Sequence, residues 1–411
     1  MKVLIFGGSG KIGSAVAYDL IQDPAITQIG LAGNDQASLD KIANWLQNSK
    51  ITTHCLDVNQ TEQTAALLKG YQVAVSAVPD RRTSYNIARC AIESRVDLVD
   101  MLEEYHRRPD KHETEGIQIP TGMSLDDYGD YLHETAISNQ VTFIDGMGFA
   151  PGLANATISH GISQLDIAQT AVARVGGIPS PQAAGNHPLR YMITWAFEHV
   201  LREYMIKVQI RRNGQITEID ASSELEAFDF IRNDVKHLLE CAITPGMPSL
   251  IYTRPQLQEC LEKTVRWPGH WQGVLALKKT GLLDLEPYTF NDSQIVSREF
   301  TLSLLAPKLQ PKEGETDICV MYNTITGLKN NTPTHIEYHL WAEADPDANL
   351  SAMQRVTGFS VASLARMLLK KQIEQTGIVA PEDALPGSLF DQYIADLSAR
   401  DILVKQTIKP V

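Results

Sequence analysis

Four apolar residues, Val3-Leu4-Ile5-Phe6, run directly into Gly7-Gly8-Ser9-Gly10-Lys11-Ile12-Gly13 and then into a helical pattern from Ser14 to Ile21. No other stretch constrains the fold as much. Gly8, Gly10 and Gly13 stand at the spacing of the dinucleotide fingerprint: the first makes the tight turn, the second lets backbone approach a pyrophosphate, and the third lets helix and strand pack closely. The pyrophosphate would sit on the helix N-terminus, where unpaired N–H groups and the positive end of the dipole favour an anion. Ser9, Lys11 and Ile12, between the glycines, join the expected cofactor contacts.

Two other phosphate-binding patterns fail on residues. A P-loop requires a glycine five positions before Gly10 and Ser or Thr after Lys11, where this chain has Ile5 and Ile12. The Tyr-x-x-x-Lys pair of short-chain dehydrogenases is also missing, since none of the thirteen tyrosines has lysine four residues on.

The pattern continues in alternation. Strands are expected at Ile29–Ala32, Ile51–Leu56, Val73–Val78, Val96–Val99 and Val141–Ile144, with helices near Leu39–Leu46, Glu62–Leu68 and Ser84–Glu93 between them. Strands alternating with helices imply a doubly wound parallel sheet, that is, an α/β fold of Rossmann type. Glu103 to Gly122 is polar, lacks a period and reads as a surface loop or lid, while Ser124 with Asp127 reads as a capped helix start.

The middle of the chain differs. Met205–Arg212 and Gln215–Asp220 flank Asn213-Gly214, the strongest two-residue hairpin signal. Phe300–Ala306, Ile318–Thr326 and His335–Ala342 add expected strands without long helices between them, so they should pair antiparallel. Helical spacing returns at Val361, Leu364, Ala365 and Leu368, with Gly377 as the stop. A chain of 411 residues is also too long for one ordinary core. The reading is a dinucleotide domain, 1–149 and 346–411, interrupted by an inserted α+β domain, 150–345, with a largely antiparallel sheet.

Composition narrows the partners. Formal charge is 36 minus 49, or −13, which opposes nonspecific attraction to nucleic acid or anionic lipid. No apolar run approaches the ~18 residues a membrane helix requires. The N-terminus enters a strand without a signal-peptide pattern, so the cytoplasm is the expected location. Cys55, Cys90, Cys241, Cys260 and Cys319 are odd in number and widely spaced, which predicts mostly reduced, buried thiols. No metal is expected: His335 and His339 sit in an alternating segment that reads as a strand, and there four residues span about 13 Å.

Several phrases resemble the family of saccharopine reductases and lysine 6-dehydrogenases. They are Gly148-Phe149-Ala150-Pro151-Gly152-Leu153-Ala154-Asn155, Gly176-Gly177-Ile178-Pro179, Pro188-Leu189-Arg190-Tyr191, Arg266-Trp267-Pro268-Gly269-His270 and Arg355-Val356-Thr357-Gly358-Phe359. The resemblance implies a dinucleotide domain completed by C-terminal helices, an inserted domain that often mediates dimerisation, and chemistry at a carbon–nitrogen bond of an amino acid. An NAD(P)-dependent oxidoreductase working as a homodimer on a small amino-acid substrate is therefore expected. The alternative is a dinucleotide-binding redox sensor that kept the fold without the chemistry.

Candidate site residues follow. Arg266 can fork onto a carboxylate, and His270 is expected to exchange a proton near neutral pH. Arg190 and Tyr191 lie in the segment that faces substrate in the family. Asp100 closes the fifth strand and Glu103 follows, at the carboxyl ends where open α/β sheets bind ligands. Asp57, after the third strand, is placed near the adenine, and Ala77, Val78 and Pro79 lie along the nicotinamide path. At the end of the second strand Gly33 replaces the carboxylate that binds the ribose of NAD. With Asn34 beside it to donate to phosphate oxygens, NADP is favoured over NAD. Asp35 would join the site if NAD were used.

Overall fold

The computed structural model describes residues 1–410, which form two compact units. The first comprises Met1–His160, Met247–Thr253 and Gln354–Ile402, and the second Gly161–Gly246, Arg254–Met353 and the chain from Leu403 onward. In chain order the strands begin with β1 (Lys2–Phe6), β2 (Gln28–Gly33), β3 (Ile51–Cys55), β4 (Val73–Ser76), β5 (Asp97–Asp100) and β6 (Thr142–Ile144). Next come β7 (Ile167–Pro179), β8 (Lys207–Arg212), β9 (Gln215–Asp220), β10 (Glu226–Arg232), β11 (Val235–Thr244) and β12 (Glu259–Arg266). The last are β13 (Pro287–Phe290), β14 (Ser293–Val296), β15 (Asp317–Lys329), β16 (Thr332–Glu343), β17 (Gly377–Val379) and β18 (Lys405–Pro410).

The first unit holds a seven-stranded sheet in the order β17-β6-β5-β4-β1-β2-β3, with every neighbouring pair parallel. Val3, Leu4, Ile5 and Phe6 are all fully buried, as a central strand covered by helices on both faces requires. Strand order reverses beside β1, and such a switch point opens a crevice at the carboxyl ends of the strands. The returning helix Ala352–Leu369 packs tightly on the first helix, Lys11–Leu20. A Cβ on Gly358 would stand 2.9 Å from the Cβ of Ala15. Arg366 bonds both Asp19 (2.5 Å) and Asp396 (2.6 Å), and Arg400 pairs with the same two carboxylates.

The second unit is built on a mixed sheet, β10-β11-β12-β7-β15-β16-β18, with the hairpin β8–β9 attached to β12. Only β12 and β7 run parallel. The sheet curls. Three strands separate β10 from β15, yet Phe228 stacks on Tyr322 at 5.8 Å, Phe230 reaches Trp341 at 5.4 Å, and Arg232 pairs with Glu343.

Several expectations are corrected here. Phe300–Ala306 lies in a helix, Ser297–Leu309, because Thr301, Leu305 and Leu309 recur at helical spacing and face inward. Gly377 opens β17 rather than closing a helix, pairing with Thr142 of β6. The domain boundaries also shift: residues 403–410 belong to the second unit, because β18 pairs with β16, and Met247–Thr253 belong to the first. None of the five cysteines is in a disulfide; Cys55 is exposed and the others are buried. Among the described residues no helix is long and apolar enough to cross a membrane.

Candidate active site

The glycine turn has the geometry its spacing implies. Gly7 takes a positive φ of 69°, Gly10 N–H donates to Gly7 O at 2.9 Å, and Gly8 N–H donates to Ala32 O at 3.1 Å. Gly10 then stands at the N-cap of Lys11–Leu20, with no side chain capping it and no acid in the first turn, so the helix end is open to an anion. The three fingerprint glycines are not equivalent. A Cβ on Gly13 would lie 2.3 Å from Gly7 O and one on Gly8 2.9 Å from the Cβ of Leu31, whereas one on Gly10 meets only Gly7 O at 3.2 Å. Gly13 and Gly8 serve packing. Gly10 faces the open side of the turn.

Gly33 ends β2 beside Ser9, and Asn34 follows, exposed. Asp35 caps the helix Gln36–Leu46: its Oδ2 accepts the backbone N–H of Ser38 at 3.1 Å and the Ser38 hydroxyl, which together hold its carboxyl below the usual range. Asp35 is thus engaged in starting the helix. Asp57 similarly accepts the N–H of Asn59 at 3.0 Å within its own turn. Ala77 donates to Phe6 O at 3.0 Å, and Ala77, Val78 and Pro79 lie progressively more open after β4. Lys11 is exposed and Ile12 half-buried at the helix start. In Gly33→Asp the new Cβ has room, 3.4 Å from Ser9 Oγ, so the fold should tolerate it. Its carboxylate should weaken NADP binding at least tenfold and NAD binding far less, as titration of each cofactor will show.

At the carboxyl ends of β5 and β6 the sequence concealed a buried polar network. Asp100 is fully buried, accepting the Ser84 hydroxyl at 2.7 Å and the Leu102 N–H at 2.5 Å. His106, also fully buried, bonds Asp145 twice, through its backbone N–H at 2.7 Å and its Nδ1 at 2.8 Å. Burial alone would depress the His106 pKa, but the Asp145 carboxylate overcomes it and raises the group to about 9. Arg81 forks onto Glu104 at 2.7 and 2.8 Å and also donates to the carbonyls of Asp110 and His112. These bonds anchor residues 104–112 of the stretch. Asp100 is fully buried, with Ser84 and Leu102 as its partners. Glu103, half-buried, lies in the same loop.

The second unit gathers three of the expected residues and separates a fourth. Arg266 is 4% exposed; its Nε donates to Tyr204 Oη at 3.0 Å, its Nη1 donates to the carbonyls of Val265 and Gly177, and its guanidinium lies 5.1 Å from the Tyr191 ring centroid. His270 Nδ1 donates to Leu189 O at 2.9 Å, so its Nε2 accepts from Tyr204 Oη at 3.1 Å. Burial and the nearby Arg266 push His270 down to about 3. It is a neutral imidazole that holds Tyr204, and through it Arg266, and it does not titrate near neutral pH as the sequence reading expected. Tyr191 and Thr194 are buried within reach of each other, and neither hydroxyl makes a well-formed hydrogen bond. Arg190 points away, exposed, donating to Pro268 O at 3.1 Å.

Sequence reading missed Tyr204, Thr194, His106, Asp145 and Glu262. A period-two signal was present for the last, since Glu262, Thr264 and Arg266 alternate along β12 and share one face.

The fold and site define a nucleotide-binding α/β enzyme scaffold of two units. Residues 3–121 match the saccharopine dehydrogenase NADP binding domain and residues 148–403 the saccharopine dehydrogenase C-terminal domain. The chain belongs to the saccharopine dehydrogenase family. Its backbone follows that of apo saccharopine dehydrogenase (L-Glu forming) from Saccharomyces cerevisiae, with a TM-score of 0.76, 18% identity and 99% of each chain covered. Among relatives, the α-aminoadipic semialdehyde synthase of Bos taurus is 23% identical over 92% of this chain and 45% of its own. That of Arabidopsis thaliana is 24% identical over 64% of this chain and 23% of its own. The chain thus spans less than half the length of these synthases. The carboxyaminopropylagmatine dehydrogenase of Synechocystis is 21% identical, covering 96% of this chain and 95% of its own.

Proposed function

We propose that this chain is an NADP-dependent oxidoreductase that oxidises an amine, or reduces the matching imine, on a lysine-like or saccharopine-like amino acid. One observation carries the substrate half of this reading. Arg266 is buried and, among the described residues, forms no ion pair; buried Glu203 acts on it only from a longer distance. A buried charge without a direct partner is costly, so a guanidinium kept in this state is set for a carboxylate supplied from outside. Tyr191 and Thr194 lie within reach of each other in the same neighbourhood without a well-formed hydrogen bond, and an arriving carboxylate has acceptor capacity for both. Tyr204, held by His270, and the carbonyls of Val265 and Gly177 occupy Nε and Nη1 and fix the guanidinium, so that Nη2 is the nitrogen left for a ligand.

The cofactor half rests on the open helix N-terminus at Gly10 and on the uncharged end of β2 at Gly33 and Asn34. A bound nicotinamide would supply hydride exchange with the substrate carbon. Family membership and the relatives named above as dehydrogenases support catalysis over the sensor reading. Following reduced-nicotinamide absorbance with a panel of amino acids, and with oxo acids plus amines, tests it; cofactor binding without turnover on any of them would favour the sensor.

Arg266→Lys keeps the charge and loses the planar group that Tyr204 and the carbonyls of Val265 and Gly177 hold in place. KM for the active substrate should rise roughly tenfold or more while kcat falls less. Unchanged kinetics would make Arg266 a structural residue.

We further propose the cytoplasm as its location, supported by an odd number of widely spaced cysteines in the sequence. We also place it in a homodimer. Leu282, Leu285, Tyr288, Phe290, Phe300 and Leu304 are all at least 40% exposed within a short stretch, a density of apolar surface that marks interfaces. Light scattering of the purified protein should give twice the chain mass, and Phe290→Glu should lower it.

A further inference from the structure

Four residues before Arg266 on the same face of β12 stands a second buried charge-bearing group without a counter-ion. Glu262 is 4% exposed. Its Oε2 accepts the Thr244 hydroxyl at 2.5 Å and the Gly246 N–H at 3.3 Å, and the Thr264 hydroxyl approaches Oε1 at 3.5 Å. Among the described residues no lysine, arginine or histidine forms an ion pair with it. The neighbouring cation, Lys263, projects to the opposite face of the strand and is held by Glu226 at 2.9 Å.

Arg266 and Glu262 therefore lie on one sheet face, with opposite charge types, and do not pair. At strand spacing their Cα atoms are about 13 Å apart. A guanidinium and a carboxyl that are buried on one sheet face, and that the fold holds apart instead of pairing, point to a ligand with complements to both. Tyr191 and Thr194, buried near the arginine, are within reach of each other, yet neither hydroxyl makes a well-formed hydrogen bond, which leaves both able to turn to a ligand.

We propose that Glu262 forms the ammonium end of the pocket whose carboxylate end is Arg266, so that the second unit selects a molecule carrying both a carboxylate and an amine. This rests on the reading of Arg266 given above and adds the amine to it.

The groups around Glu262 set how it responds. Burial raises its carboxyl to about 8, the Thr244 hydroxyl and the Gly246 N–H oppose that rise, buried Glu203 adds to it, and Arg266 lowers it. At pH 7 the free protein holds this carboxyl mostly protonated. An ammonium arriving beside it favours the carboxylate form, so the Glu262 proton passes to the buffer while the ligand keeps its own.

The test is calorimetric titration of the full chain at pH 7 with norleucine and 6-aminohexanoate, each against hexanoate, in buffers of different ionisation enthalpy. All three carry a carboxylate; only the first two carry an ammonium, at opposite ends of the carbon chain. At least one amino compound should bind ten times more tightly than hexanoate and release a substantial fraction of one proton. Hexanoate should release none. Glu262→Gln should reduce the preference to within twofold, abolish proton release and leave hexanoate affinity unchanged; Glu262→Asp, which keeps the charge, should retain part of both. Hexanoate binding with no gain from either amine overturns the role of Glu262 and leaves Arg266 as a carboxylate grip. A gain and proton release that persist in Glu262→Gln also overturn it. If none of the three binds at tens of millimolar, the carboxylate reading of Arg266 fails as well.

Discussion

Gly10→Val should abolish dinucleotide binding while leaving the melting temperature within a few degrees of the parent, whereas Gly13→Ala should destabilise the first unit. The two substitutions act on one turn in opposite ways. At Gly10 a side chain finds only one tight neighbour, Gly7 O at 3.2 Å, and projects over the helix N-terminus that the pyrophosphate needs. At Gly13 even a methyl group would stand 2.3 Å from Gly7 O and 2.9 Å from the Gly7 carbonyl carbon, both backbone atoms that cannot step aside. Titration with NADP and thermal unfolding separate the cases. Retained affinity in Gly10→Val would remove this turn from the cofactor site, and an unchanged melting temperature in Gly13→Ala would contradict the packing.

Asp145→Asn should be the most destabilising single change in the loop support, costing about 3–5 kcal/mol, the usual cost of leaving a buried charge without its partner. The charge left behind is His106, fully buried and bonded by Asp145 at both its backbone N–H and its ring. The pH dependence gives a second signature. In the folded chain His106 is raised to about 9, above its ordinary value of 6.5. Its contribution is therefore complete below pH 6.5 and is lost as pH rises through about 9. The parent should show this decline in denaturation experiments across that range, and Asp145→Asn should flatten it. His270 acts in the other direction: held down to about 3, it makes the second unit lose stability as pH falls below 6.5, because the unfolded chain takes up a proton that the folded chain refuses. Equal pH slopes for Asp145→Asn and the parent between pH 6.5 and 9 would show that His106 carries no such charge.

Features set by neighbours in sequence were legible before any coordinates. The strand, turn and helix at Val3–Ile21, the alternation that builds the parallel sheet, the Asn213-Gly214 hairpin and the Ser124–Asp127 cap all depend on residues a few positions apart, where backbone sterics and local hydrogen bonds decide. The helix Ser297–Leu309 marks the limit of such reading. Phe300–Ala306 is apolar enough for a strand, and only the placement of Thr301, Leu305 and Leu309 against the core selects the 3.6 period.

The site shows the same division. The turn at Gly8, Gly10 and Gly13 could be assigned from spacing, because backbone geometry alone requires glycine there. The roles of His270, Asp35 and Asp100 could not. Each has a side chain whose chemistry depends on partners distant in sequence or on burial: Tyr204 and Arg266 fix His270 as a neutral acceptor, and Ser84 closes over Asp100. Asp35 differs only in that a helix start, three residues away, claims its carboxylate. Sequence alone determined where the glycine turn opens a helix N-terminus. Which side chains are charged, which are capped and which are left without an ion-pair partner was decided by tertiary structure, because desolvation and ion pairing act between groups that only folding brings together.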